Sequence, residues 1–206
     1  MQRHLPLFVL FILLCAIGVW SWTAQPWKDW KKRAGDENTV VVDRYDRVLD
    51  EYVSLGSYTA LHRMNTQYPM QTKLLIEDVL KLGVVNEPNV EQRLRYYYLD
   101  STVQVLLDEV HRQYNDISDI EADLNRAFEE LKKQDPNFKM PHIYTQVSCL
   151  NQSIIVSDTL IGISLDKYLG ADFPLYAEYY TAEQRAQMTR KAIVQDAINA
   201  YQQYSR

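Results

Sequence analysis

The chain has 206 residues and a formal net charge of −5; 47% of the residues are hydrophobic, and only six are glycine and seven proline. This composition is typical of one folded domain with a short appendage, and it excludes a disordered chain. The acidic balance shows no basic patch or stripe, so we do not expect nucleic acid as a partner.

The first 38 residues differ in character from the rest of the chain. Residues 5–22 form an uncharged apolar run, whose length lies between that of a signal-peptide core and that of a membrane-spanning helix. The four tryptophans lie at the end of this run and just beyond it, where aromatic side chains favour the headgroup layer. We therefore predict a signal peptide or membrane anchor over residues 1–24 and a juxtamembrane linker over residues 25–38.

The two cysteines, Cys15 and Cys149, have different expected roles. Cys15 lies inside the apolar run and is a candidate lipidation site, although Leu14 stands where a small residue usually precedes a lipidated cysteine. An uncleaved anchor and cleavage after Gly18 or Ala24 are the alternatives. Cys149 has no partner for a disulfide within the folded body, and we interpret it as a small buried hydrophobe.

Helical spacing of apolar residues follows over the next hundred residues. Pro69 can open a helix at its first turn, with Gly83 as its stop, and Pro88 can open another. Residues 118–121, SDIE, have the form of a capping box, in which the serine and the glutamate satisfy free N–H groups at a helix start. The predicted helices cover residues 43–53, 58–66, 69–83, 88–114 with a restart at 100 or 101, and 118 to just before Pro136.

The periodicity then changes to that of strands. The segments 143–148, 153–157 and 159–165 are rich in β-branched residues, and they predict a three-stranded antiparallel meander. Residues 166–170, DKYLG, follow as a short helical turn, and a capping box at residues 181–184 opens a long helix to the last residue. We predict an α+β domain over residues 39–206, mostly helical with this small antiparallel sheet, and we expect a domain that ends in mid-helix to continue.

No catalytic or metal-binding motif accompanies these elements. A zinc hydrolase would carry two histidines four residues apart on a helix with a glutamate between them. None of the four histidines has a histidine or cysteine at ligand spacing. The nucleophile elbow, the phosphate-binding loop and the dinucleotide-binding glycines are also missing from the sequence. We therefore expect neither an enzyme nor a cofactor.

One charged pair, Asp166 and Lys167, directly follows an apolar strand. It is either a pair of site residues at a strand end or a helix-start aspartate with an exposed lysine, and we favour the second interpretation. The aromatic residues that follow predict either a contact surface for a partner or a packed cluster. The candidate interaction surface consists of Asp166, Lys167, Tyr168, Tyr176, Tyr179 and Tyr180.

Three segments carry a resemblance to a known family: residues 41–52 (VVDRYDRVLDEY), 143–148 (IYTQVS) and 160–180 (LIGISLDKYLGADFPLYAEYY). With the hydrophobic hairpin between the last two, they resemble the GldB-type gliding-motility lipoproteins. The resemblance implies an exported protein of the bacterial cell envelope, attached to the membrane and facing the periplasm. It implies an association with gliding motility and with the protein secretion linked to motility. It also implies a remote, zincin-like fold without the metal motif, and a C-terminal segment beyond residue 206.

The distribution of basic residues and the family resemblance predict opposite orientations of the body relative to the membrane. Four basic residues between Lys28 and Arg33 would place the body in the cytoplasm by the positive-inside rule, whereas the resemblance places it in the periplasm. We expect a non-catalytic, membrane-attached protein that binds other envelope proteins. Two alternatives stay open: a metallopeptidase-like enzyme whose metal site lies in a missing C-terminal segment, and a glycan- or peptidoglycan-binding module that uses Tyr176, Tyr179 and Tyr180 as stacking platforms.

Overall fold

The structure of the protein, a computed structural model, describes residues 39–135, 138–157 and 160–204. The predictions for residues 1–38, including lipidation at Cys15, lie outside these residues. The helices are α1 (Tyr45–Leu55), α2 (Tyr58–Thr66), α3 (Pro69–Lys73), α4 (Val90–Tyr98), α5 (Ser101–Gln113), α6 (Ser118–Gln134), α7 (Tyr176–Tyr179), α8 (Ala182–Gln187) and α9 (Ile193–Tyr204). The strands are β1 (Val42–Asp43), β2 (His142–Gln146), β3 (Ile154–Ser157) and β4 (Leu160–Ser164). A π-helix (Leu74–Val79) continues α3, and short 3₁₀ turns cover Leu165–Lys167 and Arg190–Ala192.

The starts of α2, α5 and α8 are fixed by side chains that accept free N–H groups. The Ser57 hydroxyl accepts the Ala60 N–H at 3.2 Å, and the Asp100 carboxylate accepts the Thr102 N–H at 2.8 Å. The predicted capping box at Thr181 and Gln184 is confirmed, with both of its hydrogen bonds present.

The predicted capping box at residues 118–121 is wrong. Ser118 is already helical, and its N–H binds the Asp116 carboxylate at 2.9 Å. Glu121 instead accepts the Val42 N–H at 3.1 Å, and Asn125 bonds the N–H and the C=O of Val40. These side chains of α6 therefore hold β1 and the residues before it, a long-range role that the local pattern does not show.

The sheet differs from the predicted meander. In the described residues it has four strands in the order β1–β2–β4–β3. β1 and β4 both run parallel to β2, and only β3 is antiparallel, to β4. The α+β class is confirmed, whereas the three-stranded antiparallel sheet is wrong because the sheet is mixed and β4 separates β2 from β3.

The central place of β4 has a physical reason. All five of its residues are buried, as expected for a strand that is covered on both faces. Gly162 lies opposite Tyr144 of β2, and the Tyr144 ring occupies the space where a side chain at Gly162 would stand. The glycine therefore lets a large aromatic side chain lie across the middle of the sheet.

This strand order sends the connection from β2 to β3 across the end of β4. Residues 147–153 must span two strand spacings, about 10 Å, because β4 lies between the strands that they join. Val147 and Ser148 in this connection are buried. A buried, irregular segment cannot satisfy its backbone groups within the sheet, so it needs other partners.

The predicted long C-terminal helix is broken. α8 ends at Gln187, Met188 is buried, and its C=O accepts the Gly170 N–H at 2.9 Å. Arg190 then binds the carbonyl oxygens of Gln113 and Asp116 at 3.0 and 2.7 Å before α9 begins. These contacts hold the backbone out of helical geometry over residues 188–189, although the sequence contains no Gly or Pro there.

Candidate functional site

The connection after β2 contains a tight turn over residues 148–151, here called the strand-end turn. The Asn151 N–H bonds the Ser148 C=O at 3.3 Å, and the two central residues, Cys149 and Leu150, have φ angles of 53° and 65°. Both lie in the left-handed region, which costs a residue with a side chain roughly 1–2 kcal/mol. Two such residues in succession persist only where the surroundings hold them, and strain of this kind concentrates at functional sites.

Asp166 holds the N–H groups of the strand-end turn. It lies just after β4 and is fully buried, and its carboxylate accepts the Ser148 N–H at 2.7 Å and the Leu150 N–H at 2.6 Å. Burial raises the pKa of the Asp166 carboxyl, while these two amide hydrogen bonds and the nearby Lys167 oppose the rise. Each carboxylate oxygen thus receives one amide of the turn, and Asp166 links the end of β4 to the connection that crosses it.

Lys167 and Tyr180 bind a carbonyl oxygen of the same turn. The Lys167 ammonium donates to the Leu150 C=O at 3.3 Å and to the Tyr180 hydroxyl at 2.8 Å, and that hydroxyl also donates to the Leu150 C=O at 3.0 Å. The ammonium lies 4.4 Å from the centre of the Tyr180 ring, which favours a cation–π contact. Leu150 therefore has its N–H bound by Asp166 and its C=O bound by Lys167 and Tyr180.

Buried tyrosines complete the hydrogen bonds of this region. The Tyr176 hydroxyl donates to the Asp166 C=O at 2.6 Å and accepts the Leu169 N–H at 2.9 Å. The hydroxyls of Tyr98 and Tyr114 donate to the C=O groups of Val147 and Tyr168. Burial raises the pKa of the Tyr98 and Tyr114 phenols, so they stay protonated and remain donors at neutral pH. The high tyrosine content thus has a specific use here, as internal donors to backbone carbonyls.

An open groove of about 520 Å³ lies beside the strand-end turn, between α4, the start of α5 and α7. Tyr96 and Tyr179 are its exposed aromatic residues, with 74% and 58% of their surface accessible. We call this groove the tyrosine groove; its lining is Tyr96, Tyr97, Asp100, Thr102, Val103, Leu106, Cys149, Leu150, Tyr179 and Tyr180. It combines apolar area with phenol groups and one exposed carboxylate, a composition typical of protein interfaces.

Cys149 brings a thiol to this lining. Its thiol is partly exposed, and burial, followed by the nearby Asp166 charge, raises its pKa well above the usual range. A thiol with a raised pKa is a poor nucleophile at neutral pH because little thiolate is present. Cys149 is therefore best described as part of the groove wall, held there by the conformation of the turn.

The structure divides the predicted interaction surface into an interior and an exterior set. Asp166, Tyr168 and Tyr176 are buried, and the Tyr168 hydroxyl bonds Asp196 at 3.0 Å. The prediction of an exposed lysine is wrong, because Lys167 is only 9% exposed and its ammonium is bound by the turn. The exposed Tyr179 and the partly exposed Tyr180 line the groove. The aromatic series is thus in part a packed cluster and in part a surface.

The opposite wall of the groove was not predicted from the sequence. Three consecutive tyrosines on α4 turn to three faces of the helix: Tyr98 is buried, Tyr97 is half-buried and Tyr96 is exposed. Because successive helical residues are about 100° apart, a run of three aromatic residues always leaves one away from the core. The run of three tyrosines was therefore the feature of the sequence that could have predicted a surface site.

Among the residues that the structure describes, no three histidine, cysteine, aspartate or glutamate side chains lie close enough together to hold a metal ion. No helix within residues 39–135, 138–157 and 160–204 has the length and apolar character needed to cross a membrane.

The fold and this site define a mostly helical α+β domain that holds a buried, hydrogen-bonded turn next to an open aromatic groove. A family model described as gliding motility protein GldB matches residues 27–205 of the chain. The protein belongs to this family of lipoproteins, which is associated with gliding motility and with the cell envelope. No curated protein and no solved structure matches the chain, so the expected remote likeness to zincin folds has no support.

Proposed function

We propose that the protein is a non-catalytic component of the bacterial cell envelope that is attached to the membrane, faces the periplasm and binds another envelope protein through the tyrosine groove. The observation that carries this proposal is the pairing of two exposed tyrosines with a turn whose backbone groups are held by buried side chains. Family membership supports the envelope location and the link to gliding motility.

The hydrogen bonds that hold the strand-end turn favour binding over catalysis. Asp166 and Lys167 direct their polar atoms at the backbone of the strand-end turn, whose Cys149 and Leu150 line the groove. Side chains whose polar atoms are bound in this way hold the backbone of the groove wall in place. Binding to a rigid surface loses little conformational entropy, so more of the contact energy contributes to affinity.

The groove residues have the chemistry of an interface centre. Tyrosine is enriched among the residues that contribute most to binding, because it offers a large area with few rotatable bonds and a polar tip. Tyr96 and Tyr179 lie on different elements, α4 and α7, so a partner would contact both walls of the groove.

Site-specific photo-cross-linking in cells that produce the protein tests this proposal. A photoreactive phenylalanine analogue would replace Tyr179 in one variant and Tyr58, an exposed tyrosine of α2 outside the groove, in a matched control. We expect a discrete cross-linked membrane protein from position 179 and none from position 58. Tyr96→Ala should then reduce that cross-link, and Tyr58→Ala should not. The same products from both positions, or none from position 179, would contradict the proposal.

The location needs its own experiment. A reporter that is active only in the periplasm would be fused after Arg206, and cells would be compared with and without an inhibitor of lipoprotein signal cleavage. We expect a periplasmic signal, and accumulation of precursor under the inhibitor would assign the anchor to Cys15. A cytoplasmic signal would mean that the basic residues after the apolar run set the topology, and the proposed function would then be refuted.

A glycan-binding role is a second candidate because exposed tyrosine rings can also stack on sugars. Of the three tyrosines first considered as platforms, Tyr176 is buried and Tyr180 is partly buried, which leaves Tyr179 with Tyr96. Binding of the purified protein to isolated sacculi, lost in Tyr179→Ala and retained in Tyr58→Ala, would favour this role over a protein partner.

A further inference from the structure

A second unpartnered feature of the molecule is the outer edge of β3, the last strand in the sheet order. The Ser164 N–H bonds the Ser153 C=O at 2.9 Å, which fixes the alternation of this antiparallel ladder. Its hydrogen-bonded pairs are Ser153–Ser164, Ile155–Gly162 and Ser157–Leu160. Ile154 and Val156 therefore direct their N–H and C=O groups away from β4. Within the part of the chain that the structure describes, these four groups have no partner.

Natural proteins usually protect such an edge against pairing with other chains. The common devices are a charged side chain, a proline, a bulge or a covering loop. Residues 154–157, IIVS, contain none of these residues and have a high preference for strands. The edge of β3 thus keeps both the backbone groups and the side chains of a strand that accepts a neighbour.

The π-helix faces the outer edge of β3 across a groove. A groove of about 550 Å³ runs along residues 152–156, and Leu74 and Asp78 from the π-helix line its other wall. π-Helices are rare and occur frequently at functional sites. An unprotected strand edge and a π-helix therefore face the same groove, and two independent structural features mark the same place.

Charge indicates what could occupy the groove. Asp78 is exposed, and its carboxylate has no hydrogen bond or ion pair among the described residues. Leu74 and the apolar side chains of β3 supply apolar contacts, and Gln152 and Ser153 line the groove before the strand begins. An occupant that satisfies all of these groups is extended, has apolar side chains and carries a lysine or arginine opposite Asp78.

We propose that the β3 edge binds an extended, basic peptide segment of another protein by strand addition, with the Ile154 and Val156 backbone groups as its hydrogen-bond partners. A second copy of this chain fits less well. It would bring its own π-helix and another Asp78 carboxylate to the same edge, where like charges repel. The inference goes beyond the proposed function, because it adds a second binding surface and names the chemical class of the segment that this surface binds.

The first test uses a synthetic peptide with the sequence KTVTVTK, labelled for fluorescence anisotropy, and the full chain in a mild detergent. Two derivatives carry N-methyl groups, one on each alternate set of backbone amides. In an extended peptide only one of these sets can face β3, so we expect one derivative to bind at least about tenfold more weakly and the other within about twofold of the parent. No binding of the parent peptide, or equal effects of the two derivatives, would overturn the inference.

Variants of the protein provide the second test. Val156→Pro removes an outward N–H that β4 does not use, and proline is tolerated at such edge positions; Val156→Thr keeps the N–H. We expect loss of peptide binding with proline and retention with threonine. Should the proline variant fail to fold, amide exchange of wild-type Ile154 and Val156 decides: slowing by at least about tenfold on peptide addition supports the inference, and unchanged exchange overturns it.

Charge and specificity are tested in parallel. Asp78→Asn should weaken binding of KTVTVTK and leave the uncharged analogue QTVTVTQ unaffected; equal effects on both peptides would overturn the basic character of the occupant. Tyr96→Ala should not change peptide binding, so failure at the tyrosine groove and failure at the β3 edge are distinguishable. Concentration-dependent dimers that Val156→Pro abolishes, without peptide binding, would assign the edge to a second copy and overturn the inference.

Discussion

Replacing Gly162 with alanine tests the central packing of the sheet. A Cβ atom at this position would lie 2.5 Å from both Cζ and the hydroxyl oxygen of Tyr144 and 3.0 Å from Cε1. Carbon atoms in contact normally stand about 3.5–4.0 Å apart, so the ring would have to move by roughly 1 Å. Tyr144 is 1% exposed and its ring meets the Tyr45 ring edge-on at 6.1 Å between centroids. The ring therefore has little room to move.

The expected cost follows from these distances. Overpacking of a well-packed core costs about 1–3 kcal/mol, while the lower entropy of alanine in the unfolded chain returns about 0.4–1 kcal/mol. We expect Gly162→Ala to destabilise the protein by about 1–2 kcal/mol. For a domain of this size, that corresponds to a fall of roughly 2–8 °C in Tm. The measurement is thermal unfolding of the full chain in a mild detergent, followed by near-UV circular dichroism.

A double-mutant cycle decides whether Tyr144 is the cause. Tyr144→Leu removes the atoms that the new Cβ would meet, so in that background Gly162→Ala should lose its cost and gain the entropic contribution of about 0.4–1 kcal/mol. The sign of the effect should therefore reverse. An equal loss of stability in both backgrounds would refute the assignment of the clash to Tyr144.

Three further predictions concern single groups and use the same unfolding assay. The Tyr144 hydroxyl is buried without a partner among the described residues, so Tyr144→Phe should be neutral or should stabilise the protein by about 1 kcal/mol. A loss of stability by more than about 1 kcal/mol would instead reveal a hydrogen bond of this hydroxyl. Asp166→Ala should cost about 2 kcal/mol near pH 4. Burial raises the pKa of Asp166, so the wild-type advantage should shrink as pH rises from about 4 through the raised pKa; a constant or growing advantage would contradict this. Arg190 holds the Gln113 C=O and both oxygens of Asp119, so Arg190→Lys should cost about 1 kcal/mol because lysine lacks the planar fork. The hydrogen bond from Arg190 lowers the pKa of Asp119, so its part of this cost should be present above about pH 4 and disappear as pH falls through the lowered pKa.

Local patterns predicted most of the helices, because helices depend on neighbours in sequence; α7 was not predicted, and the helix from Pro69 ends at Val79 rather than at Gly83. The predicted bounds of α2, residues 58–66, agree with the structure, and α6 begins at Ser118 and ends before Pro136 as expected. The break between α8 and α9 was missed because its cause is distant: Gly170 and Gln113 hold this segment from other parts of the chain. Propensity alone favours a continuous helix there.

The segments of β2, β3 and β4 were predicted, but β1 was not, because Asp43 was assigned to a helix. The pairing of the strands was not predicted either. A hairpin preference joins β3 to β4 correctly, while the same preference wrongly joins β2 to β3. The available signal was the β4 segment LIGIS, a continuous apolar run that is typical of a strand covered on both faces. Such a strand belongs in the middle of a sheet. Its central position was therefore predictable in principle, whereas the register opposite Tyr144 was not.

The candidate site shows the same division between local and distant information. Asp166 and Lys167 were singled out because charges directly after an apolar strand are unusual. Their function could not be predicted, because the amides that Asp166 binds lie 16 and 18 residues earlier in the chain. Those amides meet Asp166 only because the connection from β2 passes over the end of β4.

The strand order, the buried charges and the tyrosine groove are therefore parts of one arrangement. With β4 between β2 and β3, a connection must cross the sheet end partly inside the protein, and its backbone groups need partners that a strand cannot provide. Asp166 supplies acceptors for the N–H groups, and Lys167 with the tyrosine hydroxyls supplies donors for the C=O groups. Apolar residues of similar size could fill the same volume, but they would leave those groups unpaired at a cost of about 1–3 kcal/mol each. The same hydrogen bonds fix Cys149 and Leu150 in a strained conformation at the wall of the groove, and a wall held in this way is already ordered before a partner arrives.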